Sequence, residues 1–171
     1  MTYTTEFNPS VISNPYLSGN TADAVAATTE LFKRLSVDDK LAVLWYAYTE
    51  MGRSITPAAP GAARMQFAEG LLEQFKTMSY SEQLTAMRDL INQISTPITR
   101  AYGVLSVNTK LAFWYQLAEF MTQGIVAPMP SGYELSVAGQ QVLESLKALD
   151  MGQQITVLRK TVVNMGVDPL A

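Results

Sequence analysis

Apolar positions along the chain recur with the 3.6-residue period of helices, and no stretch alternates with a period of two. The predicted fold class is all-α. The most demanding segment is Ser106–Gly124, SVNTKLAFWYQLAEFMTQG, which reads as one helix with Ser106 as N-cap and Gly124 just past its end. At 1.5 Å per residue it would be about 25 Å long. Val107, Leu111, Trp114, Ala118 and Met121 follow at steps of four and three and share one face. Phe113, Leu117 and Phe120 form a second row beside the first. Together the rows exceed the ~100° stripe of an ordinary surface helix, so this helix must be covered from two sides. An apolar, proline-rich tail, Ile125–Tyr133, follows it.

The other elements are marked by caps and breakers. Residues 1–20, rich in Thr, Asn, Ser and Pro, read as an arm ahead of one helical domain over 21–171. Asn20 is a candidate cap for a helix over 21–34, with Val25, Thr29, Phe32 and Leu35 inward. Ser36 and Asp39 form a capping-box-like start for a helix that ends at Gly52, whose apolar row is Leu41, Leu44, Trp45, Tyr48 and Met51. The small-residue linker Ser54–Ala63 leads into a helix over 62–77 with Met65, Ala68, Leu72 and Phe75 inward. Ser79 and Glu82 make a capping box for 80–94, with Leu84, Met87, Ile91 and Ile94 on one face. A short turn of helix follows Thr96-Pro97 near Tyr102. Beyond Tyr133, one helix runs from Ser136 to Leu149 with Val142, Leu146 and Leu149 inward. The last runs from Gly152 to Gly166 with Ile155, Leu158, Val162 and Met165 inward.

Shifted by seventy residues, SVDDKLAVLWYAYTEM (Ser36–Met51) aligns without gaps on SVNTKLAFWYQLAEFM (Ser106–Met121). Each copy carries a Trp-Tyr pair on its central turn, Trp45-Tyr46 and Trp114-Tyr115, offset by one residue. The echo reads either as two similar helical halves, each built round an aromatic helix, or as coincidence between two Leu/Ala-rich amphipathic helices.

Composition narrows the chemistry. The 171 residues include no cysteine and no histidine. The first absence removes disulfides and thiolate chemistry; the second removes the commonest general base and metal ligand. Charged residues are 16% of the chain, apolar residues are 48%, and the net charge is −3. Nucleic acid is therefore not an expected partner. No run of eighteen apolar residues and no signal-peptide pattern is present, so a soluble, cytoplasmic protein is expected. No Ser-His, Cys-His, metal-ligand or phosphate-cradling glycine pattern occurs, and Glu50 and Glu119 stand as isolated helix carboxylates. The expectation is a protein that is not an enzyme.

Aromatic and methionine residues at helical spacing usually belong to a core. Here the aromatic load falls on two echoing helices, nine methionines supply adaptable lining, and the low charge leaves apolar surface to spare. One reading is a long apolar ligand held between two helical halves. The other is a helical protein-interaction module.

Four blocks then carry a resemblance: LAVLWYAYTEMG (Leu41–Gly52), AAPGAARMQFAE (Ala58–Glu69), VNTKLAFWYQLAEFMTQGIVAPMPSGYELS (Val107–Ser136) and GQQITVLRKTVVNMG (Gly152–Gly166). In order and spacing they resemble the N-terminal domain of the cyanobacterial orange carotenoid proteins, over about residues 20–166. The chain stops where that family's linker and C-terminal domain would begin, as in its stand-alone helical members. The resemblance implies two interleaved four-helix bundles with one keto-carotenoid, of the canthaxanthin, echinenone or 3'-hydroxyechinenone type, lying in a tunnel between them. It implies carotenoid contacts at Trp45, Trp114, Tyr48 and Tyr133, and apolar lining at Leu41, Leu44, Met87, Leu111, Met121 and Met129. Arg159 matches an arginine that bridges the domains of the two-domain proteins and later meets the light-harvesting antenna; Asn108 matches another interdomain contact. Pro57, Arg88 and Met129 differ from the family's residues at those places.

The implied function is photoprotection, by quenching singlet oxygen or phycobilisome excitation energy. Carotenoid storage or delivery to a separate C-terminal-domain-like partner, and a pigment-free interaction module, are the alternatives. The implied partners are the phycobilisome at the thylakoid surface or that C-terminal-domain-like protein, with the chain itself a monomer or weak homodimer.

Overall fold

The computed structural model describes residues 15–51 and 65–170. Among these there are eight α-helices and no strand: α1 (Pro15–Lys33), α2 (Val37–Met51), α3 (Met65–Thr77), α4 (Tyr80–Asn92), α5 (Pro97–Gly103), α6 (Val107–Gln123), α7 (Val137–Ala148) and α8 (Met151–Val162). Residues 1–14 of the expected arm over 1–20, the linker at 54–63 with Pro57, and the stop at Gly52 lie outside the described residues, while residues 15–20 open α1 instead of belonging to an arm.

Caps account for most helix boundaries. Ser79 and Glu82 form the full capping box of α4. Ser106 caps α6 by accepting from the Thr109 N–H, and Gly124 closes that helix in the left-handed conformation at φ 75°. Four expectations need correction. Helix α1 begins at Pro15, so Asn20 lies inside it and does not cap it; proline is tolerated in a first turn, where its missing N–H has no intrahelical partner. Helix α8 begins one residue before Gly152, because Asp150 and Gln153 form a capping box. Ile94 is 51% exposed and Val107 is 36% exposed, each at a helix end where the periodic face has run past its cover. Asp39 does not complete a capping box with Ser36. The Ser36 hydroxyl accepts from the Asp39 N–H, but the Asp39 carboxylate turns away to another segment.

The helices fall into two groups. Helix α1 packs on α7 and α8, and α2 packs on α7; in the second group α3 packs on α5 and α6, and α4 on α5. The first group joins the two ends of the chain around the second, so the two four-helix bundles are interleaved. Helices α2 and α6 meet at the seam, with α4 also against α2 and α8 against α6.

The over-wide face of α6 is covered on two sides. Its Phe113 row enters a buried aromatic cluster, with ring centroids 5.8 Å from Phe75, 5.3 Å from Tyr102 and 5.8 Å from Trp114, all edge-on. The Trp114 row faces the seam with α2. Helix α5 and the tail after α8 close the end of this cluster, where Gly166 and Val167 donate backbone hydrogen bonds to Leu90 (2.8 Å) and Thr99 (3.0 Å). Gly103 permits that approach, since a Cβ there would lie 1.9 Å from the Val167 carbonyl oxygen.

Candidate functional site

Helices α2, α4 and α6 and the segment 127–133 enclose an apolar cavity of about 200 Å³, partly open to solvent. Nine of the ten residues expected to line a tunnel meet there. Helix α2 contributes Leu41, Leu44, Trp45 and Tyr48; α4 contributes Met87; α6 contributes Trp114 and Met121; the segment after α6 contributes Met129 and Tyr133. Their spacing explains this, because each helix presents residues three or four apart to the same side. Leu111 is the exception. It is buried outside this wall, and its backbone carbonyl accepts a hydrogen bond from the Tyr48 phenol at 3.3 Å. A second cavity, bounded by Tyr115, Glu119 and Thr122 on α6 and Thr49 on α2, shares Trp45, Tyr48 and Ala118 with the first. The two therefore abut along the α2–α6 seam.

The tryptophans differ despite their echoing positions. The Trp114 indole N–H donates to the buried Tyr102 phenol at 2.9 Å, and that phenol donates to the Val162 carbonyl at 2.8 Å. Burial pushes the Tyr102 and Tyr48 phenols well above their ordinary pKa, so both stay neutral donors. The Trp45 indole nitrogen is buried with no hydrogen-bond partner.

One wall of the cavity is a loop strapped at both ends by residues whose role sequence reading missed. Gln83, 1% exposed on α4, donates to the Phe75 carbonyl (2.7 Å) and the Ile125 carbonyl (3.1 Å), and accepts from the Ala127 N–H (2.8 Å). It stands four residues before Met87, on the inward face, where a polar residue signals a buried carboxamide. At the other end the buried Asp39 carboxylate accepts from the Tyr133 phenol (2.7 Å) and from the Ser136 hydroxyl. Burial pushes the Asp39 carboxyl up, but the bonds from Ser136 and Tyr133 outweigh it and hold it below its ordinary value. Burial and the Asp39 hydrogen bond push the Tyr133 phenol up to about 12. At the mouth, the Arg88 guanidinium makes a bidentate pair with Asp38, at 2.9 and 3.0 Å.

Asn108 and Arg159 lie elsewhere. Asn108 is half-buried in the first turn of α6, Arg159 is half-buried on α8, and neither lines the two cavities. Among the described residues no cluster of acidic side chains is placed to hold a metal ion, and no helix is long and apolar enough to cross a membrane.

The family model described as "Orange carotenoid protein, N-terminal" matches residues 18–168. The chain belongs to the orange carotenoid protein N-terminal family. Within that family, an orange carotenoid-binding domain-containing protein of Nostoc sp. (strain PCC 7120) is 66% identical over 151 residues, covering 88% of each chain. The structure of the Anabaena (Nostoc) sp. PCC 7120 Orange Carotenoid Protein binding canthaxanthin superposes with a TM-score of 0.79 at 58% identity, over 86% of this chain. The match spans 48% of that protein's length, so this chain corresponds to about half of it. The Red Carotenoid Protein of the same organism, also binding canthaxanthin, gives a TM-score of 0.76 at 37% identity; the match covers 84% of this chain and 99% of that one. The all-α fold of two bundles is thus the fold of orange carotenoid protein N-terminal domains.

Proposed function

We propose that this chain binds one keto-carotenoid in the cavity between α2, α4 and α6, and that the pigment serves photoprotection. The observation that carries the reading is the cavity wall, in which aromatic faces, aliphatic side chains and methionines from four segments converge. Apart from Trp45, each polar side chain on that wall has a partner within the protein: Tyr48 at Leu111, Trp114 at Tyr102, Tyr133 at Asp39, and Arg88 at Asp38. The ligand meets an almost entirely carbon surface, which suits a polyene. Burying a long hydrocarbon yields roughly 25 cal/mol per Å² before ordering costs. Trp45, Tyr48, Trp114 and Tyr133 would hold the end ring, and Leu41, Leu44, Met87, Met121 and Met129 the adjoining chain. The conjugated pigment supplies the photophysics; the protein supplies binding, twist and exclusion of water. Nothing in this role calls for a catalytic group, and the relatives are named for carotenoid binding.

Quenching of singlet oxygen needs only the bound polyene. Dissipating phycobilisome excitation also needs an antenna-binding surface, for which Arg159 with Lys160 on α8, and Asn108 on α6, are the candidates. Protein made in carotenoid-producing cells should be orange to red, with a blue-green absorption band. Colourless protein from such cells would overturn the reading. Adding the coloured protein to isolated phycobilisomes separates the two mechanisms, because unchanged fluorescence rejects antenna quenching.

A further inference from the structure

Two successive acids in the first turn of α2 tie that helix to two different walls of the cavity. The Asp39 carboxylate accepts from the Tyr133 phenol at 2.7 Å and from the Ser136 hydroxyl, and so holds the loop that follows α6. The Asp38 carboxylate accepts from Arg88 on α4, from Nε at 2.9 Å and from Nη2 at 3.0 Å, across the cavity mouth. The two ties differ in their access to water. Asp39 is 6% exposed, so its tie is sheltered from water and ions. The Asp38 and Arg88 side chains are 42% and 41% exposed, so their pair is weak and open to screening by salt. Of the two ties that frame the mouth, this pair is the one that opens at little cost. The cavity behind it is apolar, with Leu41, Leu84, Pro128 and Pro130 on its wall. The far end, in the second cavity, carries Thr49, Glu119 and Thr122 instead. A hydrocarbon passes carbon surface more readily than a carboxylate that it would strip of water.

We propose that the Arg88–Asp38 pair is a latch on the pigment's route into and out of the cavity. Closed, it bridges α2 and α4 over the mouth; broken, it frees the Arg88 side chain to turn into solvent. The inference rests on the carotenoid reading above and adds to it how the pigment is exchanged. A latch differs from a binding contact in what it changes. It closes over an empty and an occupied cavity alike, so breaking it speeds entry and release by the same factor and leaves the final partition of pigment where it was. A residue that grips the pigment acts on release and weakens retention with it. The screening length falls from roughly 30 Å at 0.01 M salt to about 3 Å at 1 M, so salt loosens the latch without any substitution. Burial shields the Asp39 tie from the same treatment.

The test follows canthaxanthin from the whole loaded chain into an excess of phosphatidylcholine vesicles, whose zwitterionic surface carries no net charge. At low salt, release should be about threefold to fivefold faster for Arg88→Gln and for Asp38→Asn than for the wild type, the factor that an exposed ion pair of up to about 1 kcal/mol supplies. The double variant should release no faster than either single one, since each already breaks the same pair. Wild-type release should rise toward the variants' rate as salt increases, while the variants respond little. The share of pigment left on the protein at equilibrium with limiting vesicles should be the same for the wild type and the variants. Equal release rates overturn the latch and assign exchange to the α2–α6 end. Release that speeds up in step with lost retention also overturns it, by making the pair a pigment contact. The wild-type salt series stands without any variant, and release that ignores salt overturns the latch by itself. Failure of the wild type to take up canthaxanthin overturns the carotenoid reading, and this inference with it.

Discussion

Gln83→Met tests whether the loop that walls the cavity is held by one buried carboxamide. Methionine keeps the length and volume of the side chain and removes its donors and acceptor, so packing in the 1%-exposed site is nearly conserved. Three hydrogen bonds disappear, to Phe75, Ile125 and Ala127. Each contributes about 1 kcal/mol net. The half-buried Ala127 N–H is left without its acceptor, whereas the Phe75 carbonyl still accepts from Met78 at 3.2 Å. The loss should therefore be about 3 kcal/mol. For a domain of this length 1 kcal/mol corresponds to roughly 2–4 °C, so Tm should fall by about 6–12 °C. The assay is thermal unfolding of the pigment-free protein followed by far-ultraviolet circular dichroism, with a urea melt to confirm that the slope is unchanged. A fall of less than about 2 °C would refute the view that the strap is a significant part of the fold's stability.

Gly103→Ala should detach the tail from α5, since the added Cβ meets the Val167 carbonyl at 1.9 Å. Losing the Gly166 and Val167 backbone bonds costs about 2 kcal/mol or more, read as a Tm drop of at least ~4 °C, and an unchanged Tm would contradict it. The Asp39 carboxyl titrates lower in the folded state than in the unfolded chain, so its contribution is complete above about pH 4 and is lost as pH falls through the lower folded value. Asp39→Asn should lower stability at pH 7 by about 1.5–3 kcal/mol, and the gap from wild type should close below about pH 4; a gap constant with pH rejects the charge-assisted strap. Arg88→Leu should cost less than about 1 kcal/mol, because both partners of its pair are about two-fifths exposed; a larger loss in a urea melt would mean that the pair is more than a surface contact.

Much of the fold was legible because local chemistry and final structure agree. Ser79 with Glu82, Ser106 with Gly124, and the inward rows of α3 and α7 act in the structure as their spacing implies, whereas on α4 the buried face is Gln83, Ala86, Met87 and Leu90, so that of the expected row only Met87 is buried. The failures have tertiary causes. Asp39 sits where a capping box wants an acid, but the Tyr133 and Ser136 hydroxyls, more than ninety residues away in the chain, compete for its carboxylate and win. Periodicity reports a face and not how far its cover extends, so Ile94 and Val107 read as inward and stand exposed. Nor does it distinguish a layer that packs on core from one that borders empty space: Leu111 shares a face with Trp114 and Met121 but is buried outside the cavity wall. Met87, Met129 and Tyr133 reached the expected cavity through resemblance to a family rather than through spacing.

The seam between α2 and α6 gains its character from the unequal fates of two similar helices. Helix α6 is held from behind: Phe113 and Leu117 are buried without exposure, and Trp114 is pinned through Tyr102 to the end of α8. Its ring therefore presents a fixed face to the cavity. Helix α2 is held from the side, through Tyr48 to the Leu111 carbonyl and through Asp39 to the loop strap. Trp45 sits between those two anchors with its own donor uncommitted. The two tryptophans thus differ in their hydrogen bonding, a distinction that the near-identical residues of the echo do not carry.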